Sequence, residues 1–169
     1  MKGRKPDPDL RTPMQWNGLA PAAGFSRGGT PPWHAVNADF PTVNVERESA
    51  DPTSLLSLYR RLIHLHAITP ALRYGIEIPV TVSSDRVFAS LRQTGADWVL
   101  VLANLGAQPV KGLTVDAPTS PLVNDVVIQE ELQGAAVSQP KVGPEGRLST
   151  WVALDELAPR TVYVLHVKR

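Results

Sequence analysis

Proline and glycine are frequent in about the first fifty residues of this chain, and they restrict the secondary structure that these residues can form. Each proline lacks a backbone donor and restrains the residue before it, so regular hydrogen bonding is interrupted repeatedly. The same stretch carries large apolar side chains, which a flexible linker does not need. We therefore expect an ordered, irregular loop that lies against another surface. The apolar anchors are Met14, Trp16, Phe25, Trp33 and Phe40.

Residues 51–68 predict a helix. Asp51 can accept from the first free amides, and Pro52 suits the first helical position, where a missing donor costs nothing. Leucines recur at positions 55, 58, 62 and 65, within a wide apolar arc. Thr69 and Pro70 end the pattern, because the residue before a proline leaves helical geometry. So wide an apolar arc requires burial over much of the helix circumference.

After Tyr74 the apolar period changes from that of a helix to that of a strand. Residues 87–93 alternate, a turn with Gly95 follows, and residues 98–105 are apolar on both faces, as in a central strand. Short strands separated by turns, with no helices between them, predict an antiparallel sandwich of seven or eight strands over residues 74–169. The remaining candidate strands are 76–82, 110–115, 123–128, 148–154 and 161–167.

The composition excludes several function classes. The net charge of +1 and the absence of a basic run argue against a nucleic-acid partner. The longest apolar runs are too short to cross a bilayer, and no apolar stretch follows the N-terminal charges, as it would in a signal peptide. With no cysteine and four scattered histidines, we expect neither a metal site nor a cofactor, and we expect a cytoplasmic location.

A series of motifs in the first half of the chain resembles one enzyme family. Arg-Thr-Pro-Met-Gln-Trp at residues 11–16 is similar to a signature of the α-amylase superfamily (glycoside hydrolase family 13), in its α-glucosidases, oligo-1,6-glucosidases and trehalose synthases. The blocks that follow occur in the family's order, so the match spans about seventy-five residues. These blocks are Ala23–Ser26, Pro32–Trp33, Thr42–Glu46, Asp51–Ile63 and Pro70–Gly75.

The resemblance implies a particular architecture. Such enzymes have a (β/α)8 barrel followed by a C-terminal β-sandwich, domain C. On this basis residues 1–73 correspond to the last barrel loop, residues 3–46, and the last barrel helix, at about 51–68. Residues 74–169 correspond to domain C. The mainly β fold expected here is therefore an antiparallel sandwich preceded by a long irregular loop and one α-helix.

The resemblance also implies which residues serve the chemistry. Retaining hydrolysis of an α-glucoside needs a carboxylate nucleophile and an acid, and the family carries these upstream of the signature, so no catalytic residue is assigned to this chain. Arg11, Gln15 and Trp16 are the candidate substrate-binding residues, because an arginine of this segment lies near the sugar pocket in relatives. Many relatives have a second arginine where this chain has Asp7. The alternative roles are an ion pair that braces the loop for Arg11, and packing for Met14 and Trp16.

Three function classes therefore stay open. The first is the C-terminal part of an α-glucosidase-like enzyme, which is inactive alone and acts on α-glucosides in the full-length parent. The second is an accessory module, carbohydrate-binding or subunit-like, that pairs with a separate barrel chain. The third is a non-enzymatic protein that keeps the family's shape and pairs with another chain, such as a second copy, through the exposed helix and loop. The aromatic residues of the sandwich region that a sugar-stacking platform would need are Phe88, Trp98, Trp151 and Tyr163, and their apolar surroundings predict that they are core residues.

Overall fold

A computed structural model describes residues 11–27, 30–120, 122–123 and 126–168. The chain divides into two compact units, Met1–Ile63 and His64–Arg169. Within the described residues, no helix is long and apolar enough to cross a membrane.

Over residues 11–27 and 30–44, the N-terminal unit is an irregular loop, as expected. The first helix of its described residues, α1 at Val45–Ala50, was not predicted. Asn44 caps it, since its side-chain oxygen accepts from the Arg47 amide at 3.0 Å, while its side-chain nitrogen donates to the Phe40 carbonyl at 2.8 Å. No residue of α1 is buried, which explains why the segment lacks the apolar period of a helix.

Helix α2, Leu55–Ile68, begins later than the sequence predicts. The Ser54 hydroxyl, rather than the Asp51 carboxylate, accepts from the Ser57 amide at 3.1 Å and caps the first turn. Asp51 instead accepts from the amide and the hydroxyl of Thr53, at 2.8 and 2.7 Å, in a turn before the helix. The predicted end is confirmed, but Pro70 opens a further short helix, α3, at Pro70–Tyr74.

The C-terminal unit is built from short antiparallel strands, which confirms the mainly β prediction. Sheets form in the orders β1-β3-β4-β10-β7, β2-β6-β8 and β5-β9. The strands are β1 Ile76–Ile78, β2 Thr81–Val82, β3 Val87–Thr94, β4 Asp97–Asn104, β5 Val110–Lys111, β6 Val115–Ala117, β7 Val127–Glu130, β8 Leu148–Trp151, β9 Glu156–Leu157 and β10 Val162–Lys168.

One face of the five-stranded sheet forms the core of this unit. Leu91, Leu100 and Leu165 stand in register across β3, β4 and β10, and each is 1% exposed or less. Two buried aromatic residues have partners for their polar ends. Trp151 Nε1 donates to the Ser138 carbonyl at 2.7 Å, and the Tyr163 hydroxyl accepts from the Ala158 amide at 3.0 Å. Helix α3 packs on β3 and β4.

Candidate functional site

The segment Arg11–Trp16 is fixed by backbone hydrogen bonds within the N-terminal unit. The Trp16 amide donates to the Ala23 carbonyl at 2.8 Å. The Gln15 and Trp16 carbonyls accept from the first amides of α1, Val45 and Glu46, at 2.9 and 3.0 Å. The segment therefore has a defined course without belonging to a helix or a strand, and it lies against the start of α1.

The side chain of Gln15 is committed to the loop itself. Its amide nitrogen donates to Asp39 Oδ1 and to the Val43 carbonyl, both at 2.8 Å. A glutamine amide has two donor hydrogens, so both are used and only the side-chain oxygen remains available. Any contact of this side chain with a sugar would have Gln15 accepting from a hydroxyl.

Arg11 and Trp16 present their side chains differently. The Arg11 side chain is exposed, and that of Trp16 is 51% exposed, so neither is packed away in the N-terminal unit. Met14 is also 51% exposed. The three predicted substrate-binding residues thus share one segment, in which the Gln15 side chain braces the loop and the side chains of Arg11 and Trp16 are accessible to solvent. Asp7 lies outside the described residues.

An apolar groove of about 540 Å³ lies beside this segment. Its wall on the α2 side includes Leu55, Tyr59 and Ile63, each more than half exposed and spaced four residues apart along one stripe of the helix. The wide burial that the sequence predicted for this helix is therefore not found among the described residues of this unit. The other apolar lining residues are Pro13, Met14, Val43, Val45 and Leu56.

The carboxylates near the segment hold the loop and the helices. Asp39 accepts from Gln15, and Glu48 Oε2 accepts from the Leu56 amide at 3.2 Å. The hydroxyl of Thr53, and then its amide, lower the pKa of Asp51 from 3.8. A general acid of glycoside hydrolysis needs a raised pKa, which is the opposite direction.

A second polar cluster, in the C-terminal unit, was missed by the sequence analysis. His166 Nε2 lies 2.6 Å from Asp97 Oδ1, and His166 Nδ1 lies 3.5 Å from Glu131 Oε1. Asp97 Oδ2 also accepts from the Ala71 amide at 2.7 Å. No motif signals this cluster, because its members come from α3, β4, the end of β7 and β10.

The aromatic residues of the C-terminal unit do not form a sugar-stacking surface together. Trp98, Trp151 and Tyr163 are buried, as predicted, at 2–6% exposure. Phe88 was predicted to be core and is 53% exposed, because it points away from the face that carries Leu91. Tyr74 is also exposed, at 66%, but it lies near the end of β3 that carries Gln93, five residues along the strand from Phe88. Two separated rings give the accessory-module alternative little support.

Similarity to known proteins covers both units. Residues 1–75 match the α-amylase family, as its catalytic domain. The chain is 36% identical over 127 residues to a glucan 1,6-α-glucosidase of Streptococcus pneumoniae, covering 74% of this chain and 23% of that protein. It is 34% identical over 108 residues to a probable oligo-1,6-glucosidase of Bacillus subtilis, covering 64% and 18%.

Solved structures extend the similarity to nearly the whole chain. An isomaltulose synthase from Klebsiella superimposes with a TM-score of 0.60 and 28% identity, over 93% of this chain and 25% of that one. A trehalulose synthase from Pseudomonas mesoacidophila superimposes with a TM-score of 0.58 and 32% identity, over 94% and 25%. The chain thus spans about a quarter of the length of the proteins it matches.

Proposed function

Because this chain belongs to the α-amylase superfamily of glycoside hydrolases, we propose that it serves as the C-terminal part of an α-glucosidase-like enzyme. The full-length parent would hydrolyse or transfer α-glucosyl groups, and this chain alone would be inactive. The observation that carries the proposal is the 36% identity to a glucan 1,6-α-glucosidase over 127 residues, a length that must include strands of the C-terminal unit as well as α2.

We assign each of the two units to a different part of the full-length enzyme. The loop and α2 would correspond to the end of the catalytic barrel, and the strands of the C-terminal unit to a domain C sandwich. The antiparallel sheets and the buried leucine rows support the second assignment. The motif order in residues 11–75 supports the first.

The groove beside Arg11–Trp16 supports a partner surface of apolar character. Leu55, Tyr59 and Ile63 leave more than half of their surfaces in water, although apolar stripes of this kind are normally buried. We assign this stripe to packing against the catalytic barrel, whether the barrel lies in the same polypeptide or in a separate chain. Pairing with a second copy through the same stripe is the competing occupant, and the mass of the purified chain in solution separates the two.

The proposed inactivity rests on the chemistry of retaining hydrolysis. Two carboxylates about 5 Å apart must flank the scissile bond, one as nucleophile and one as acid. Asp39, Glu48 and Asp51 each accept hydrogen bonds that hold the loop or a helix start. The remaining contribution would be substrate binding by Arg11 and Trp16, with Gln15 as an acceptor, and binding without the carboxylate pair supplies little rate enhancement.

The test is turnover of a chromogenic α-glucoside by this chain, beside the Arg11→Ala variant. We expect no turnover from either protein, and equal traces in both would identify a contaminating glucosidase. Addition of a separately expressed barrel from a 1,6-glucosidase relative should bring activity that depends on this chain. Turnover by the chain alone that Arg11→Ala abolishes would overturn the proposal.

A further inference from the structure

The cluster around His166 joins elements that are far apart in the sequence. One ring nitrogen faces Asp97 Oδ1 at 2.6 Å, and the other faces Glu131 Oε1 at 3.5 Å. The second oxygen of Asp97 accepts from the Ala71 amide in the first turn of α3. A chain of polar contacts therefore runs from the residue after β7, through β10 and β4, to α3.

Both ring nitrogens of His166 face carboxylate oxygens, and this arrangement favours one protonation form. A neutral imidazole has one N–H, so one of its nitrogens would present a lone pair to a carboxylate. The imidazolium has two N–H groups and meets both carboxylates with positive charge. The side chains of His166, Asp97 and Glu131 are only 17%, 22% and 20% exposed, so water screens these contacts less than it would at an open surface.

The other charged groups around the cluster have partners of their own. Arg92, in the same cross-strand row as Val99 and His166, donates to the carbonyls of Ala71 and Gly75 at 3.3 and 2.7 Å. Three more charged side chains that the structure describes lie on the packed elements. Arg73 of α3 stacks on Tyr74, Glu77 of β1 lies near Ser90, and Glu130 of β7 accepts from the Leu132 and Val164 amides.

We propose that His166 is a proton-dependent latch that holds α3 on the five-stranded sheet. When the ring is protonated, it fixes Asp97 between itself and the Ala71 amide, and Glu131 against its other nitrogen. Loss of the proton removes one donor and the charge that balances two carboxylates. The stabilisation is therefore present while the ring carries its second proton and is lost when that proton leaves.

Hydrogen exchange at the Ala71 amide, measured in the whole chain between pH 5 and 8, tests the latch. After correction for intrinsic exchange, the protection of this amide should fall about three- to fivefold as the pH rises, the range of a modest ion pair. The His166→Gln variant should show a flat profile. The His64→Gln variant, which changes an exposed histidine of α2, should keep the profile of the parent.

A flat profile in the parent chain, or an equal fall in His166→Gln, would overturn the latch. If His166→Gln does not fold, Glu131→Gln takes its place, because it keeps the shape of the side chain and removes one carboxylate. It should reduce the fall in protection, and an unchanged fall in that variant would contradict the proposal.

Discussion

The side-chain amide of Gln15 donates to the carboxylate of Asp39 at 2.8 Å, across 24 residues of irregular chain. This bond, with a second one to the Val43 carbonyl, closes the loop that carries the Arg11–Trp16 segment onto the residues before α1. An irregular loop with few backbone pairs depends on such bonds to keep one conformation.

The variant Asp39→Ala should loosen that loop. Loss of the acceptor should lower the free energy of unfolding by about 0.5–1.5 kcal/mol, the usual net contribution of one hydrogen bond. Asp39→Asn keeps an acceptor oxygen and should cost less. Urea denaturation followed by tryptophan fluorescence measures both, since Trp16 lies in the affected loop; equal losses from the two variants would contradict the assigned role.

Asn104 is a buried polar residue that ties several backbone groups of the C-terminal unit together. Its side chain is 1% exposed, its nitrogen shares two hydrogens among the carbonyls of Gln108, Leu157 and Ala158 at 2.9–3.1 Å, and its oxygen accepts from the Gly106 amide. Asn104→Ala should therefore cost about 3 kcal/mol, because it leaves several of these backbone groups unpaired. Gln108→Ala is the matched control, since Gln108 contributes only its backbone carbonyl and its side chain is exposed. Denaturant titration should show a small effect for the control.

Gly146 should tolerate no side chain. Its φ is +73°, and a Cβ built there would lie 1.8 Å from the Ser120 carbonyl oxygen. Gly112 has a similar φ of +61° but open space around its Cβ position, so Gly112→Ala should carry only the backbone strain, about 1 kcal/mol. Gly146→Ala should be clearly less stable than Gly112→Ala in thermal unfolding. Similar melting temperatures would show that the segment 120–146 adjusts freely.

Asp51 should titrate below its ordinary range. The Thr53 hydroxyl, with a smaller effect from the Thr53 amide, lowers the pKa of Asp51 from 3.8. A depressed folded-state pKa gives stabilisation that is present above the unfolded value and is lost as the pH falls through the folded value, so the loss occurs below about pH 3.8. Thr53→Val should move the carboxyl titration upward when it is followed by carbon NMR, and Thr53→Ser should not.

The sequence predicted the elements whose signals are local. Strands β3 and β4 were predicted to within one residue at each end. The apolar alternation of β3, the apolar run of β4 and the turn at Gly95 between them are all visible in neighbouring residues. Strand β9 is only two residues long, too short to show an alternating pattern in the sequence, and it is recognised by its pairing with β5. Helix α1 was missed because none of its residues is buried.

In the candidate site, too, the sequence predicted local features but not contacts between distant residues. The motif identified the Arg11–Trp16 segment, but the bond between Gln15 and Asp39 depends on how the loop folds back. No spacing rule connects these two positions. His166 was likewise one of four scattered histidines for which no site was expected, because its two carboxylate neighbours are 35 and 69 residues away. Only the order of strands in the sheet reveals that these residues lie close together in space.

The sheet order β1-β3-β4-β10-β7 also restricts the order in which the strands can pair as the chain folds. The hairpin of β3 and β4 closes across a two-residue turn and can form early, whereas β10 must return from the far end of the unit to reach β4. Among the described residues, β7 pairs in the sheet with β10 alone. Until β10 arrives, β7 has no edge to join, so β7 cannot enter the sheet before β10, and we expect the entry of β10 to be slower than the closure of the hairpin.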